Sequence, residues 1–350
     1  PISQTIWEGQ QVANAARRHH RVIQCGTQSR SNPALYGAKR FLDAGSLGAI
    51  KYAIATCYKL RPSIGKLAQP LAIPSELDYD LWCGPAAKVD LYRPQLHYDW
   101  HWDFNTGNGD LGNQGVHQMD IARWFLGEEH WPAKVHCIGG RVGYDDAADT
   151  ANTQSVFYAY PKAPLLFEVR GLPTQKGSEE MDIYLGSRVG VIVQCEKGHL
   201  LIPSYTEAFA FDEKGEQLHR WNYGDDQLHY NNFLTAVSKN DAKLLNAEAS
   251  VSHASSSLCH LGNISYQSGD LRPVADVEAA VQGIDLLSDS LRRMLVHLEA
   301  NGLKRDELQL TWGAPLEIDS TQDRIVSPGS AATHLRREDR APFLVPEIKV

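Results

Sequence analysis

The sequence predicts an α/β protein in two parts: the trailing half of a parallel layer over residues 1–62, then an α+β domain with an open, mostly antiparallel sheet over residues 63–350. In the first part, helix and strand signals alternate, which is typical of parallel layers. In the second part, short strand-like runs are separated by turn residues, which is typical of antiparallel sheets. A glycine-rich loop leads into an amphipathic helix near Asn113 and is a candidate site wall.

Two helix starts and two strand-like runs support the parallel layer. Thr5 to Glu8 has the S/T-x-x-E form of a capping box. Asn32 and Pro33 form the cap and the first turn of a second helix. Strands are predicted over residues 21–26 and 50–60. These elements are too few to close a layer, so the region is predicted to end a nucleotide-binding domain.

The remaining elements form the second domain, which we predict to extend to the end of the chain. Strands are predicted at residues 134–143, 153–160, 165–170, 180–185, 190–194 and 199–202. Helices are predicted at residues 228–239, 248–267 (capped by Asn246) and 277–301. A sheet that leaves one face uncovered by its own helices has to bury that face elsewhere. We therefore expect a homo-oligomer that associates through the sheet over residues 134–202.

Composition excludes several classes of partner. The chain is 43% hydrophobic and 22% charged, with a formal net charge of -8. This charge disfavours nucleic acid and anionic membranes as partners. No apolar run approaches the roughly 20 residues that a bilayer span requires. The six cysteines contain no CxxC pair, so neither a zinc knuckle nor a disulfide framework is expected.

The central loop and helix carry the candidate chemistry. Asn113, His117 and Asp120 follow one another by four and then three residues, so on a continuous helix they share one face. The alternative is that Asn113 only caps the helix, while His117 and Asp120 only bond each other at the surface.

Aromatic and histidine side chains crowd residues 78–109, just before this helix. Aromatic faces beside imidazoles and carboxylates suit a polyol or sugar ring, although tryptophans such as Trp102 also fill cores. The histidines here match no zinc signature, so no metal is expected.

Four segments resemble the Gfo/Idh/MocA oxidoreductase family. They are PISQTIWEGQQVANAARRHHRVIQCGTQSRSNP, DYDLWCGPA, WHWDFNTGNGDLGNQGVHQMDIARWFLG and SSSLCHLGNISYQSG. The resemblance implies a Rossmann NAD(P) domain followed by a substrate domain with an open antiparallel sheet. It also implies hydride transfer between NAD or NADP and a sugar or cyclic polyol.

The resemblance assigns site residues. His117 falls on the family's histidine, which exchanges the proton of the substrate hydroxyl. Asn113 occupies the family's aspartate position, and Asp110 is a partial substitute for it. The family's E-K-P lysine would directly precede Pro1. Cofactor contacts are expected from Gln28, Arg30, Asn32, Trp100 and His101, and substrate contacts from Tyr58, Trp102 and Asp120.

Two other functions stay open: glycoside cleavage through transient oxidation of the sugar by bound NAD, and sugar binding without catalysis. No GxGxxG follows a strand. We therefore expect the natural protein to carry that motif upstream of Pro1, and the chain as written to be inactive and poorly soluble. The compartment depends on the same segment: cytoplasmic, or exported by a twin-arginine signal.

Overall fold

The fold is built on one large mixed sheet. The structure is a computed structural model that describes residues 1–327 and 329–350. The strands are β1 (Ile50–Tyr58), β2 (Lys134–Gly140), β3 (Thr153–Ala159), β4 (Leu165–Arg170), β5 (Val189–Cys195), β6 (Gly198–Ile202), β7 (Glu207–Asp212), β8 (Gln217–Asn222), β9 (Asp270–Pro273), β10 (Gln309–Trp312), β11 (Leu316–Asp319) and β12 (Arg324–Ile325).

The strand order is β12-β11-β2-β3-β4-β1-β5-β6-β7-β8, and β10 pairs with β2 and β9. β1 runs parallel to β4 and antiparallel to β5. The other paired strands are antiparallel to their neighbours. The predicted open, mostly antiparallel sheet is confirmed.

Helices cover the sheet from both sides. They are α1 (Ile6–Arg18), α2 (Pro33–Asp43), α3 (Tyr79–Cys83), α4 (Gly109–Asn113), α5 (Gly115–Leu126), α6 (Gln227–Lys239), α7 (Ala249–Gln267), α8 (Val274–Ala280) and α9 (Asp285–Ala300). Short 3-10 helices span Gln28–Ser31, Asp99–Trp102, Ala242–Leu244 and Ser330–Leu335. In the described part of the chain, no helix combines the length and the apolarity that a bilayer span needs.

Side chains alternate between the two faces of the sheet along each strand, and they form a separate apolar core on each face. Side chains such as Ala55, Phe167 and Val193 join residues of α5 and α7 in the core on one face. Ile54 and Leu166, one position along their strands, join residues of α8 and α9 in the core on the opposite face. We call these the α5 face and the α9 face, and the period of two along a strand determines the face on which each site residue lies.

Two local predictions near the N-terminus are confirmed. The capping box is present, because Glu8 N–H donates to Thr5 Oγ1 at 3.3 Å while Thr5 N–H donates to the Glu8 carboxylate at 3.2 Å. Asn32 Oδ1 accepts from Ala34 N–H at 2.9 Å and caps α2. Both motifs depend on neighbours within a few residues, so sequence alone can reveal them.

The predicted parallel layer is wrong in its strands. β1 is a central strand of the large sheet, not part of a separate layer within residues 1–62. Residues 21–26 form no strand, and only Gln24 makes an isolated bridge, to Glu248. The pattern of an apolar run predicts a strand but carries no information on the sheet that the strand joins.

Three further predictions need correction. Residues 180–185 form no strand, and Tyr184 makes only an isolated bridge to Ser187, because the segment is part of the loop that joins β4 to β5. The predicted helix over 277–301 is two helices, separated by a turn in which Gly283 has φ +86°. Glu248, not Asn246, caps α7 by accepting from Ser250 N–H at 2.8 Å.

Candidate functional site

The glycine-rich loop folds tightly before it enters α4. A Cβ on Gly107 would lie 2.5 Å from the carbonyl oxygen of His101, so any larger residue would push the two segments apart. Gly109 has φ +60°, in the left-handed region that favours glycine. The loop glycines therefore allow the close approach that places Asp110 next to the end of β1.

The helix that carries Asn113 and His117 is interrupted. α4 ends at Asn113, and α5 begins at Gly115. His117 N–H donates to Gln114 O at 3.2 Å, so the regular bond back to residue 113 is replaced by a tighter turn. Asn113 is thus the last residue of a short helix and not the cap of α5. Its half-buried side chain makes no hydrogen bond within the described chain.

His117 is held as a neutral imidazole. Burial is the main cause that lowers its pKa, the Pro1 amine lowers it further, and Asp120 has a smaller opposite effect. The Nδ1 atom is buried and has no hydrogen-bond partner among the described residues. The ring lies 5.0 Å from the Tyr205 ring, centroid to centroid. A neutral imidazole with an unused nitrogen is able to accept a proton from a ligand.

Amide and phenol groups lie beside His117, and an ammonium group is bonded to one of the amides. The Gln114 side-chain amide donates to the Tyr205 hydroxyl, and its carbonyl oxygen accepts from Lys59 Nζ at 3.4 Å. Gln118 Nε2 is buried without a partner in the described chain. We call His117, Gln114, Gln118, Tyr205 and Lys59 the His117 cluster. Its members can donate to and accept from several hydroxyl groups at once.

Sequence reasoning missed every member of the His117 cluster except His117. Lys59 directly follows β1, a position that could have been noted, since polar residues at strand ends often line sites. Tyr205 lies between β6 and β7, 88 residues after His117, and no sequence pattern links the two.

Asp110, a predicted catalytic residue, is bound to an arginine. Arg61 Nε and Nη2 donate to its two carboxylate oxygens at 2.8 and 2.7 Å, and the Asp110 side chain is 2% exposed. The Arg61 guanidinium lies 5.0 Å from the centre of the Trp102 ring. Trp102 is buried, so its ring stacks on Arg61 and does not present an open face to a sugar. Asp110 and Trp102 therefore stabilise the local fold through their contacts with Arg61.

Arg30 and Asp120, expected to contact cofactor and substrate, bind each other. Arg30 Nε and Nη2 donate to the Asp120 carboxylate at 2.9 and 3.0 Å, and Ser255 Oγ donates to it at 2.6 Å. The Asp120 side chain is 1% exposed. This pair joins the 3-10 helix at Gln28–Ser31 to α5 and α7, and it leaves Asp120 no open lone pair that faces a ligand.

The other expected cofactor contacts are dispersed. Asn32 is buried as the cap of α2, and its amide nitrogen donates to Tyr223 O at 2.8 Å. Gln28 is half-buried in its 3-10 helix. Trp100 and His101 stack on each other, with ring centroids 3.9 Å apart.

The cavities also separate the expected residues. Arg30 lines a cavity of about 840 Å³ that also contains Trp124 of α5 and His253 of α7 but does not include His117. Trp100 lines a second cavity of about 280 Å³ together with Trp82 and Arg337.

Tyr58, an expected substrate contact, lies on the wrong face of the sheet. It follows Cys57, whose side chain packs in the core of the α5 face, so the alternation of β1 directs Tyr58 to the α9 face. There its hydroxyl donates to the buried carboxylate of Glu168. Tyr58 and His117 therefore do not share a site.

The described residues do not fit a dinucleotide cradle. Such a cradle needs a glycine turn and a helix N-terminus directed at the pyrophosphate. Arg30 and Asn32 are already bound to protein groups, and GNGDLG leads into α4 beside Thr150 and Pro1.

Comparison with known families places this domain. Residues 48–164 match the C-terminal alpha/beta domain of the oxidoreductase family GFO_IDH_MocA. The resemblance to the Gfo/Idh/MocA family is confirmed. The Gfo/Idh/MocA match begins two residues before β1, so β1 belongs with the sheet of the C-terminal domain and not with a preceding layer. A comparison with curated proteins gives no match.

Solved structures are similar to this chain at low sequence identity. The aldose-aldose oxidoreductase from Caulobacter crescentus, complexed with glycerol, is 12% identical over 74% of this chain and 65% of its own, with a TM-score of 0.50. The WlbA dehydrogenase from Bordetella pertussis, in complex with NADH and UDP-GlcNAcA, is 13% identical over 74% and 65%, with a TM-score of 0.48. An oxidoreductase from Agrobacterium radiobacter, in complex with NAD+, L-tartaric acid and magnesium, is 11% identical over 75% and 68%, with a TM-score of 0.47. The chain thus spans about two thirds of the length of these structures.

Proposed function

We propose that the chain forms the substrate side of an NAD(P)-dependent oxidoreductase that acts on a sugar or cyclic polyol. His117 takes the proton of the reacting hydroxyl on oxidation and returns it on reduction. Gln114, Tyr205 and Lys59 position neighbouring hydroxyl groups. A nicotinamide is the hydride acceptor expected for such a reaction. The residues of this chain take part only in the proton transfer and in positioning the substrate.

The observation that carries the proposal is that His117 is neutral and has a ring nitrogen without a protein partner. Its pKa is lowered by burial, so the imidazole is neutral at neutral pH, and its Nδ1 has no protein partner in the described chain. A structural histidine normally has its buried nitrogens bonded, because an unpaired buried polar atom costs about 1–3 kcal/mol. An unpaired imidazole nitrogen next to the unpaired amide nitrogen of Gln118 is therefore better explained by a ligand that bonds to both.

Two further features support a hydroxylated ligand. The first is the set of donors and acceptors that Gln114, Gln118 and Tyr205 place beside His117. Pro1 lies next to Gly112, 3.2 Å from the position of a Cβ there, and its amine acts on the pKa of His117. The family's lysine, which the resemblance assigns to the position before Pro1, would thus enter beside His117.

The test is the loss of proton transfer in the full-length protein. His117→Gln is expected to lower kcat by about 100-fold or more, the usual scale for loss of a general acid-base group. Reduction of NAD and NADP by a panel of aldoses and inositols is the measurement. His130→Gln is the matched control, because His130 is 64% exposed and lies beyond the C-terminal end of α5.

The outcomes separate the functions. A His117→Gln enzyme within about threefold of the parent would show that the residue is structural, because loss of an acid-base group costs about 100-fold. Cleavage of a glycoside without net change of the cofactor would replace the proposal by the glycosidase alternative. Sugar binding without either activity would leave only the binding function.

A further inference from the structure

Another cavity, separate from the two described above, lies on the α9 face, opposite the His117 cluster. It has a volume of about 270 Å³, between the ends of β1 and β4, the loop before β5, and α9. Tyr58 and Arg170 contribute from the strands, Asp182 and Tyr184 from the loop, and Arg293, Val296 and His297 from α9. A liquid water occupies about 30 Å³, so the cavity has room for roughly nine non-hydrogen atoms.

A carboxylate with all its acceptors used forms the base of this cavity. Glu168 of β4 is fully buried and accepts from the hydroxyls of Tyr58 and Ser290. Arg293 reaches the same carboxylate with nitrogen–oxygen distances of 2.7 and 2.8 Å. Burial alone would raise the pKa of Glu168, but Arg170 and Arg293 outweigh this and hold the pKa below its usual value. Glu168 is therefore charged, and it is saturated with donors.

Arg170 borders the cavity with an unused donor. Its side chain is 2% exposed, and its Nη1 donates to Val169 O at 3.0 Å. Its Nη2 makes no hydrogen bond to the described residues and lies 3.9 Å from Glu168, the saturated carboxylate. Burial of an N–H donor without an acceptor costs free energy, because its lost hydrogen bonds to water are not replaced. An unpaired donor on a buried guanidinium therefore indicates a missing acceptor, such as a ligand.

His297 provides a second unused group on the other wall. Its Nδ1 lies 2.6 Å from Asp182 Oδ2, an ion-pair distance without hydrogen-bond geometry, so the carboxylate lies on the Nδ1 side of the ring. Its Nε2 is buried and has no partner among the described side chains. The ring is 3% exposed. An imidazole oriented in this way leaves Nε2 free to accept from a hydroxyl group.

The charges around the cavity select a monoanion. Asp289 is shared by Arg292 and Arg293, Glu168 is shared by Arg293 and Arg170, and Asp182 faces His297. Arg170 is therefore the cation with the weakest compensation. One negative charge completes its pairing, whereas a dianion would add an excess charge next to Glu168 and Asp182.

We propose that this cavity is a second ligand site, which binds a small hydroxycarboxylate. The carboxylate accepts from Arg170 Nη2, and a hydroxyl group donates to His297 Nε2. The Tyr184 ring, which the Arg293 guanidinium covers at 3.9 Å, closes one side. Because the site lies across the sheet from His117, its ligand is distinct from the substrate of the proposed reaction.

Calorimetry on the full-length protein tests the site with glycolate, acetate and inorganic phosphate as probes. Glycolate is expected to bind with a Kd of about 1 mM, a free energy in keeping with so small a ligand. Acetate lacks the hydroxyl group and should bind several-fold more weakly. Arg170→Gln should weaken glycolate by about tenfold or more, because a charge-assisted hydrogen bond is lost. Arg305→Gln, an exposed arginine paired with Glu278, is the matched control and should bind like the parent.

A second variant blocks the cavity sterically, so that loss of binding can be told apart from a folding defect. Ala300 is exposed at the end of α9 and borders the cavity, so Ala300→Trp fills the entrance without removing a buried group. It should abolish glycolate binding while circular dichroism and melting stay unchanged. Absence of glycolate binding by the parent, or unchanged binding by both cavity variants, would overturn the site. Equal affinity for acetate would refute the role of His297, and tighter binding of phosphate would refute the carboxylate assignment.

Discussion

At the residue scale, we expect position 113 to set the pH range in which His117, the proposed base, works. In the family that this chain resembles, a carboxylate occupies the position of Asn113 and favours the charged imidazole. Here burial lowers the pKa of His117, and Asn113 carries no charge that would raise it. The base form of His117 therefore persists to lower pH than in a histidine with its ordinary pKa.

We expect Asn113→Asp to move the acidic limb of the pH profile upward. A carboxylate near His117 stabilises the imidazolium, so the folded pKa of His117 rises and the base form is lost at a higher pH. The limb of kcat/KM should shift by about one pH unit toward neutrality. Asn231→Asp, an exposed position on α6, is the control. Superimposable profiles for Asn113→Asp and the parent would show that residues 113 and 117 do not interact.

The residue type of the candidate base could be predicted from the sequence, but the partners of the other charged residues could not. Arg30 and Asp120 are 90 positions apart, and Arg61 and Asp110 are 49 apart. The sequence assigns Arg30 and Asp120 to ligand contacts and Asp110 to catalysis, each without a protein partner. Ion pairs of this separation depend on the tertiary fold, which local spacing does not encode.

At the scale of elements, the Arg61–Asp110 pair fastens α4 to the end of β1. Asp110→Ala leaves the Arg61 guanidinium buried without its carboxylate, which typically costs about 3–5 kcal/mol of unfolding free energy. Urea denaturation measures this loss. Asp145→Ala removes the partner of Lys66 in a pair whose side chains are 91% and 57% exposed, and it should unfold like the parent. Equal midpoints for the two variants would refute the structural assignment of Asp110.

Elements with strong local signals were predicted well. β4 lies at the predicted residues 165–170, and α1 begins directly after its capping box. The hairpin of β7 and β8 was missed, because its outer strand is almost wholly exposed and shows no apolar alternation. β1 was found as a strand and assigned to the wrong layer. Strand existence is a local property, whereas pairing with β4 and β5, more than a hundred residues away, is not.

At the scale of the whole molecule, the outer half of the sheet presents a half-exposed aromatic patch. Leu201 pairs with Phe209, and His199 pairs with Phe211, so all four lie on the face opposite the buried Leu200 and Ala210. The His199 and Phe211 rings stack with centroids 4.9 Å apart. Together with Arg220, which covers Phe209, these residues form the outer aromatic patch. Apolar patches of this kind on one sheet face are typical of subunit contacts.

We therefore keep the expectation of a homo-oligomer and locate its contact at the outer aromatic patch. Light scattering after size exclusion should give an oligomer at micromolar concentration. Phe209→Asp should give a monomer, because it replaces an aromatic ring at the centre of the contact with a hydrated carboxylate. Leu81→Asp is the matched control, since Leu81 on α3 is 66% exposed and lies away from the patch. A parent chain that is already monomeric would refute the association, and an oligomer that survives Phe209→Asp would place the contact on another surface.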